Sequence, residues 1–233
     1  MVSVAPADYA LMTRILRYSF PERVMHSLSA ISYIYLLLTG LAFWTPALYW
    51  IATVLGGAYL SRVLHPWIGL VFTAAICWML VTWLHDMRTT AADREWRKAM
   101  GHYMRNEDAL VPPAGRFNFG QKQFFWLMVL CGAALLLSGL ALWFTTSIPR
   151  ELQVLRYLAV LIHAVAALVT IGGIIIHIYM GVAVVPAGLH AIVHGDVSEQ
   201  WARHHHALWA AQAPRTGTSG THVDRDPPVD VGR

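Results

Sequence analysis

Charge and cysteine are both scarce in this chain of 233 residues. Asp, Glu, Lys and Arg make up 13% of it, against about 25% in an ordinary soluble domain. There are two cysteines, Cys77 and Cys131, and no Cys-x-x-Cys. Neither a disulfide framework nor a cysteine-ligated iron–sulfur cluster is supported. Both thiols fall inside apolar runs and read as small buried hydrophobes. The two-residue alternation of a membrane β-barrel is absent. So is a signal-peptide core ahead of the first long apolar run. Residues 1–23 carry Arg14, Arg17 and Arg23 instead, which predicts a cytoplasmic start and an uncleaved anchor.

What fills the chain is apolar: 57% of its residues are hydrophobic. Four runs are long enough to cross a bilayer, which needs about 20 residues. They predict an all-α membrane protein, a four-helix transmembrane bundle. Spans are expected at 24–44, 64–87, 121–144 and 154–183, after an N-terminal arm over 1–23. Pro66 suits the first turn of the second span. Gly132, Ser138 and Gly139 offer the third span small surfaces for close packing. The hydrophilic stretch 88–120 has room for a short surface helix near 91–104. Residues 184–211 read as a surface helix on the cytoplasmic side, and 212–233 as a disordered tail rich in Pro, Gly, Thr and Asp. The net charge of +4 needs no nucleic acid to explain it. Lys and Arg number three in the arm, six in 88–120 and four beyond 184, but one in 45–63 and two in 145–156. This bias puts both termini and the central loop on the cytoplasmic side of the membrane.

Histidine is costly in lipid, so its positions inside the spans carry information. His163 and His177 are 14 residues apart in the fourth span, on one face and about 21 Å apart at about 1.5 Å per residue. His26 opens the first span and His65 the second. The alternating direction of the spans gives each a depth. His65 and His163 fall in the outer half, and His26 and His177 in the inner half. Two neutral imidazoles facing across a bundle are an axial set for a six-coordinate b-type haem. The four thus predict two haems, used for electron transfer because such an iron has no open position. Structural zinc would need four ligands, and no cysteine or carboxylate lies at these depths. Arg62 and Arg156, at the outer edge, are candidate partners for haem propionates. His85, His102, His190, His194, His204, His205, His206 and His222 lie in polar stretches and are expected to be solvated. The run His204–His206 could also bind a metal adventitiously or serve proton supply at the cytoplasmic face.

On these residues the chain resembles the cytochrome b556 (gamma) subunit of membrane-bound formate dehydrogenase, from about Arg14 to Trp209. The matching pieces are RVLHPWIG around His65, GRFNFGQK at 115–122, LRYLAVLIHA around His163, IIHIYMG around His177, and GDVSEQWARHHH in the tail. The resemblance implies the same haem pairing, and a quinone site built from Asn118, Gly120, Gln121 and His177 beside the inner haem. The quinone would be menaquinone or ubiquinone. It also implies partners: an iron–sulfur (beta) subunit and a molybdenum- or tungsten-containing catalytic (alpha) subunit, assembled around this membrane subunit in one or more copies. Electrons from formate would reach the outer haem from the periplasmic side and leave to the quinone. Three other readings stay open. One is a cytochrome b of another periplasmic oxidoreductase, such as a nickel–iron hydrogenase or a thiosulfate reductase. The second is a haem-free proton-relay transporter, and the third a membrane anchor without redox role.

Overall fold

The computed structural model of the chain describes residues 14–105, 107–185 and 187–213. In chain order these form a short strand β1 (Arg14–Leu16), helix α1 (Phe20–Trp44), a short helix α2 (Trp50–Val54) and α3 (Ala58–Trp83). There follow α4 (Ala91–Lys98), α5 (Met100–Met104), α6 (Phe119–Trp143) and α7 (Gln153–Tyr179), which runs into a π turn at Met180–Val184. The chain then makes α8 (Gly188–His194), strand β2 (Asp196–Ser198), α9 (Glu199–His205) and α10 (Ala207–Ala210). Four of these helices are long and apolar enough to cross a membrane: α1, α3, α6 and the continuous stretch Arg150–Val184 that contains α7.

The chain divides into two compact units. The helical unit, Pro21–Arg88 with Gly120–Tyr179, holds most of the four long helices. Its centre is a cluster of Tyr33, Phe72 and Met128, packed by Leu36, Leu37, Ile76, Phe124, Leu127 and Ile174. The Tyr33 hydroxyl donates to Thr170 Oγ1 at 3.1 Å, and Thr170 donates to the Ala167 carbonyl of its own helix at 2.8 Å. Near the start of α1, the buried Glu22 accepts from Trp83 Nε1 at 2.6 Å, which ties it to the end of α3. At the start of α6, Lys122 Nζ donates to the Arg88 carbonyl at 2.9 Å and Trp126 Nε1 to the Met87 carbonyl at 3.2 Å.

The second span begins at Ala58, earlier than its hydropathy suggests, and ends at Trp83. Gly56 and Gly57, with φ of 95° and 100°, turn the chain directly out of α2, so the helix starts before the apolar run does. Pro66 consequently lies inside α3 and not in its first turn. Lacking an N–H, it makes no helical bond to the carbonyl four residues back, that of Arg62. Of the two thiols, Cys131 is half-buried but Cys77 faces outward on α3, so only one approaches the expected buried position.

The described residues of the terminal unit fall within 14–20, 89–119 and 180–213. β1 and β2 pair antiparallel with Ile15 opposite Val197, and both side chains are fully buried. Helix α4 starts on a capping box between Thr90 and Asp93, and Trp96 packs its inner face. The single surface helix expected over 184–211 is instead α8, β2, α9 and α10. Gly195, at φ 97°, stops α8. The freed segment takes up strand pairing, and Ser198 then caps α9 by accepting from Trp201 N at 3.2 Å. The tail from residue 214 on, His222 included, lies outside the described residues.

Candidate functional site

Two histidine pairs face each other within the helical unit. His26 of α1 and His177 of α7 have ring centres 6.3 Å apart, tilted at 45°. His65 of α3 and His163 of α7 have ring centres 6.3 Å apart, tilted at 54°. Two imidazoles trans on one metal, with metal–nitrogen bonds of about 2.0–2.1 Å and about 1.1 Å from nitrogen to ring centre, have centres about 6.2–6.4 Å apart. Both separations therefore fit a metal held between the rings, and two nitrogen donors are fewer than the four a structural zinc site takes. Among the described residues no group of three or more His, Cys, Asp or Glu converges as a metal cage. His26, His65 and His163 are half-buried and His177 is exposed, so none of the four rings is sealed away.

The surroundings of the two pairs differ. His65 Nδ1 lies 2.7 Å from Thr39 Oγ1 on α1, and the edge of Phe43 meets its ring at 5.6 Å between centres. His163 Nδ1 lies 3.0 Å from Ser138 Oγ on α6. A Cβ added at Gly139 would come 3.3 Å from His163 Cε1, so glycine is what lets this ring lie against α6. His177 instead stacks on Phe124, 4.4 Å between centres and 5° from parallel. A Cβ added at Gly173, one turn before His177, would come 3.5 Å from the Phe124 ring. Among the described residues no side-chain hydrogen bond reaches the rings of His26 or His177. Thr170, which accepts from the Tyr33 hydroxyl, lies midway between His163 and His177 in the chain.

Arg62 lines a cleft of about 530 Å³ with Ala42, Phe43, Thr45, Pro46 and Tyr49. That cleft shares Phe43 with the surroundings of His65. Arg156 is exposed near the start of α7 and does not line it. Asn118 is buried just before α6, within the terminal unit. Gly120 and Gln121 stand in the first turn of α6 and His177 near the end of α7, within the helical unit.

Residue type alone does not mark Thr39 and Ser138 as neighbours of His65 and His163, because hydroxyls in apolar helices are common helix-packing residues. A signal was present: Leu36–Trp44 reads LLLTGLAFW and Leu135–Trp143 reads LLLSGLALW, identical at seven of nine positions.

His206 departs from its expected solvation. It is buried, 2% exposed. Its Nδ1 donates to the Gly115 carbonyl at 2.7 Å, which leaves Nε2 to accept from Arg17 at 3.3 Å. The buried Arg17 guanidinium also donates to the Arg116 carbonyl and lies 4.6 Å from the centre of the Trp209 ring. Burial first, then the Arg17 charge, holds the His206 imidazole well below its ordinary value of 6.5. Unfolding of this unit thus takes up a proton below about pH 6.5, so its stability falls with acidity, by up to about 1.4 kcal/mol per pH unit. Amide protection at Leu208, whose N–H bonds the Ala114 carbonyl at 3.1 Å, should decline between pH 7 and 5.5 after correction for intrinsic exchange. His206→Gln should flatten that decline, and a flat wild-type profile would contradict the assignment. His190 is likewise engaged: its Nε2 lies 3.3 Å from Asp196 Oδ1, and Arg14 Nε donates to Asp196 Oδ2 at 2.6 Å. Burial pushes the Asp196 carboxyl up, but Arg14 and His190 together hold it below its ordinary value. His85 and His204 are exposed, as expected of solvated residues.

Comparison with known proteins finds a family model and several relatives that match most of the chain. The family model for prokaryotic cytochrome b561 matches residues 17–195, a stretch that includes all four paired histidines. The cytochrome b556(fdo) subunit of formate dehydrogenase from Escherichia coli (strain K12) is 34% identical over 203 residues, covering 87% of this chain and 94% of that protein. The formate dehydrogenase cytochrome b556 subunit of Haemophilus influenzae is 34% identical over 199 residues, covering 84% of this chain and 82% of that protein. The nitrate-inducible cytochrome b556(Fdn) subunit of Escherichia coli (strain K12) is 31% identical over 198 residues, covering 84% and 89%. With four apolar helices, paired imidazoles and these likenesses over most of its length, the chain belongs to the prokaryotic cytochrome b561 family, alongside the cytochrome b556 subunits of formate dehydrogenase.

Proposed function

We propose that the chain is the membrane subunit of a quinone-dependent formate dehydrogenase, holding two b-type haems and delivering electrons to a quinone. The observation that carries this reading is the pair of 6.3 Å imidazole separations at two depths of one bundle. His65 and His163 would hold one haem and His26 and His177 the other. Haem iron, when bound, supplies reversible one-electron chemistry. The protein supplies orientation, a dry low-dielectric surrounding and control of potential. Arg62, on the cleft next to His65, is the proposed propionate partner, with Arg156 the second candidate.

The positive-inside bias supports an orientation with both termini cytoplasmic, in a bacterial inner membrane. In that orientation His65 and His163 lie towards the periplasm, where a partner iron–sulfur subunit and a molybdenum- or tungsten-containing catalytic subunit would deliver electrons from formate. The resemblance to cytochrome b556 supports a quinone, menaquinone or ubiquinone, held by Asn118, Gly120, Gln121 and His177. Asn118 offers a donor and an acceptor to a quinone carbonyl, and Gly120 lets backbone approach a flat ring.

A reduced-minus-oxidised spectrum of the purified protein tests the reading. A b-type α band from two haems per chain is expected, and it should appear on adding formate to the assembled complex. A preparation that is folded, helical and free of haem would sink it, and would favour a proton relay.

A further inference from the structure

We propose that Thr39 and Ser138 are positioning residues for the haem held by His65 and His163. Each hydroxyl keeps its histidine in the Nδ1–H form, turns Nε2 towards the iron and lowers that haem's reduction potential. The inference rests on the two-haem reading and adds to it an asymmetry between the haems.

The argument starts from where each hydroxyl proton goes. A hydroxyl has one proton to donate and two lone pairs to accept with. The Thr39 hydroxyl donates to the Tyr35 carbonyl, four residues back, at 2.8 Å. The Ser138 hydroxyl donates to the Ala134 carbonyl, also four residues back, at 2.6 Å. This back-bonding is how a hydroxyl in an apolar helix is satisfied. With the proton committed, each oxygen can only accept from the ring nitrogen beside it, His65 Nδ1 at 2.7 Å and His163 Nδ1 at 3.0 Å. The tautomer assigned from this network is Nδ1–H in both rings. The free lone pair is then on Nε2, the nitrogen a trans metal needs, and the opposite tautomer would aim an N–H at the partner ring.

The device is built twice. The block LLLTGLAFW on α1 and the block LLLSGLALW on α6 each place a hydroxyl and then a glycine beside a histidine of the next long helix. An added Cβ at Gly40 would lie 3.9 Å from His65 Cε1, and one at Gly139 3.3 Å from His163 Cε1. In each block the hydroxyl meets Nδ1 and the glycine lies beside the adjacent Cε1, though only at Gly139 would an added Cβ crowd the ring. Among the described residues the pair formed by His26 and His177 has neither: the wall of His177 is the Phe124 ring.

An acceptor on Nδ1–H makes the imidazole a stronger donor and so favours the oxidised metal. Removing it should raise the potential. The test uses Thr39→Val, Ser138→Ala and the double variant in the intact complex. Redox titration should resolve two b components, and low-spin resonance spectra give an independent readout of ligand field. Each single variant should raise the potential of the component that His163→Ala removes, by up to about 59 mV, a tenfold change in a one-electron equilibrium. The double variant should shift it further, and the other component should not move. Thr39→Ser and Ser138→Thr should restore the wild-type potential and spectrum. Unchanged potentials with full haem content would overturn the proposal, as would a shift confined to the other haem. If a variant loses haem, recovery in its hydroxyl-bearing counterpart supports the proposal, and equal loss there overturns it. A wild-type protein without b-type haem would fail the underlying reading instead, so the two failures are distinguishable.

Discussion

Replacing His163 by alanine should reduce the haem content from two per chain to one, and His65→Ala should remove the same spectral component. His26→Ala and His177→Ala should both remove the other. The prediction follows from the pairing: each haem would take both of its protein iron ligands from one histidine pair, so loss of either partner should loosen the same group. The fold should survive each change. The central cluster of Tyr33, Phe72 and Met128 includes no ligand histidine, and neither does the Glu22–Trp83 bond. Haem extraction with component-resolved difference spectra is the measurement. Loss of one component by both His65→Ala and His177→Ala would refute the pairing.

Quinol formation should fall by about 10–100-fold in Asn118→Ala while formate still reduces both haems. The size corresponds to about 1.5–3 kcal/mol, the worth of one or two hydrogen bonds from a buried polar side chain to a polarised acceptor. Asn118 is buried, so haem content and thermal stability must be read beside the rate. An Asn118→Ala complex that keeps both haems and makes quinol at the wild-type rate removes Asn118 from the quinone site. His177→Ala should show the combined defect, losing one haem and quinol formation together. That joint loss separates it from His163→Ala only if the remaining haem is tested for reduction by formate.

Much of this architecture is legible in the chain because the membrane makes a simple demand. A spanning helix must satisfy its backbone internally and present apolar side chains over about 20 residues. Any histidine that interrupts such a run stands out. Depth then follows from counting residues, and the 6.3 Å separations of His65 from His163 and of His26 from His177 match the pairs that depth assigns. Hydropathy is a weaker guide to where helices begin. The start of α3 is set by two left-handed glycines, which carry no hydropathy signal, and Pro66 lands inside the helix in consequence. Nor does composition separate a solvated histidine from a buried one in a polar stretch. His206 is buried because Arg17, just after β1, and the Gly115 carbonyl, both far from it in the chain, meet its ring nitrogens, while Trp201 of α9 and Trp209 of α10 close in from nearby positions.

By itself the sequence determined how many helices cross the membrane, which histidines lie in them and at what depth, since these depend on residue type and on rise per residue. Tertiary structure alone decided that Nδ1 is the nitrogen engaged in His65 and His163. That depends on the rotation of one helix against its neighbour, and a turn of a few tens of degrees would carry Thr39 away from His65 or Ser138 away from His163 without altering one apolar residue. The duplicated hydroxyl–glycine block was visible as a repeat. Only the packing of α1 on α3 and of α6 on α7 gave each copy a histidine to hold.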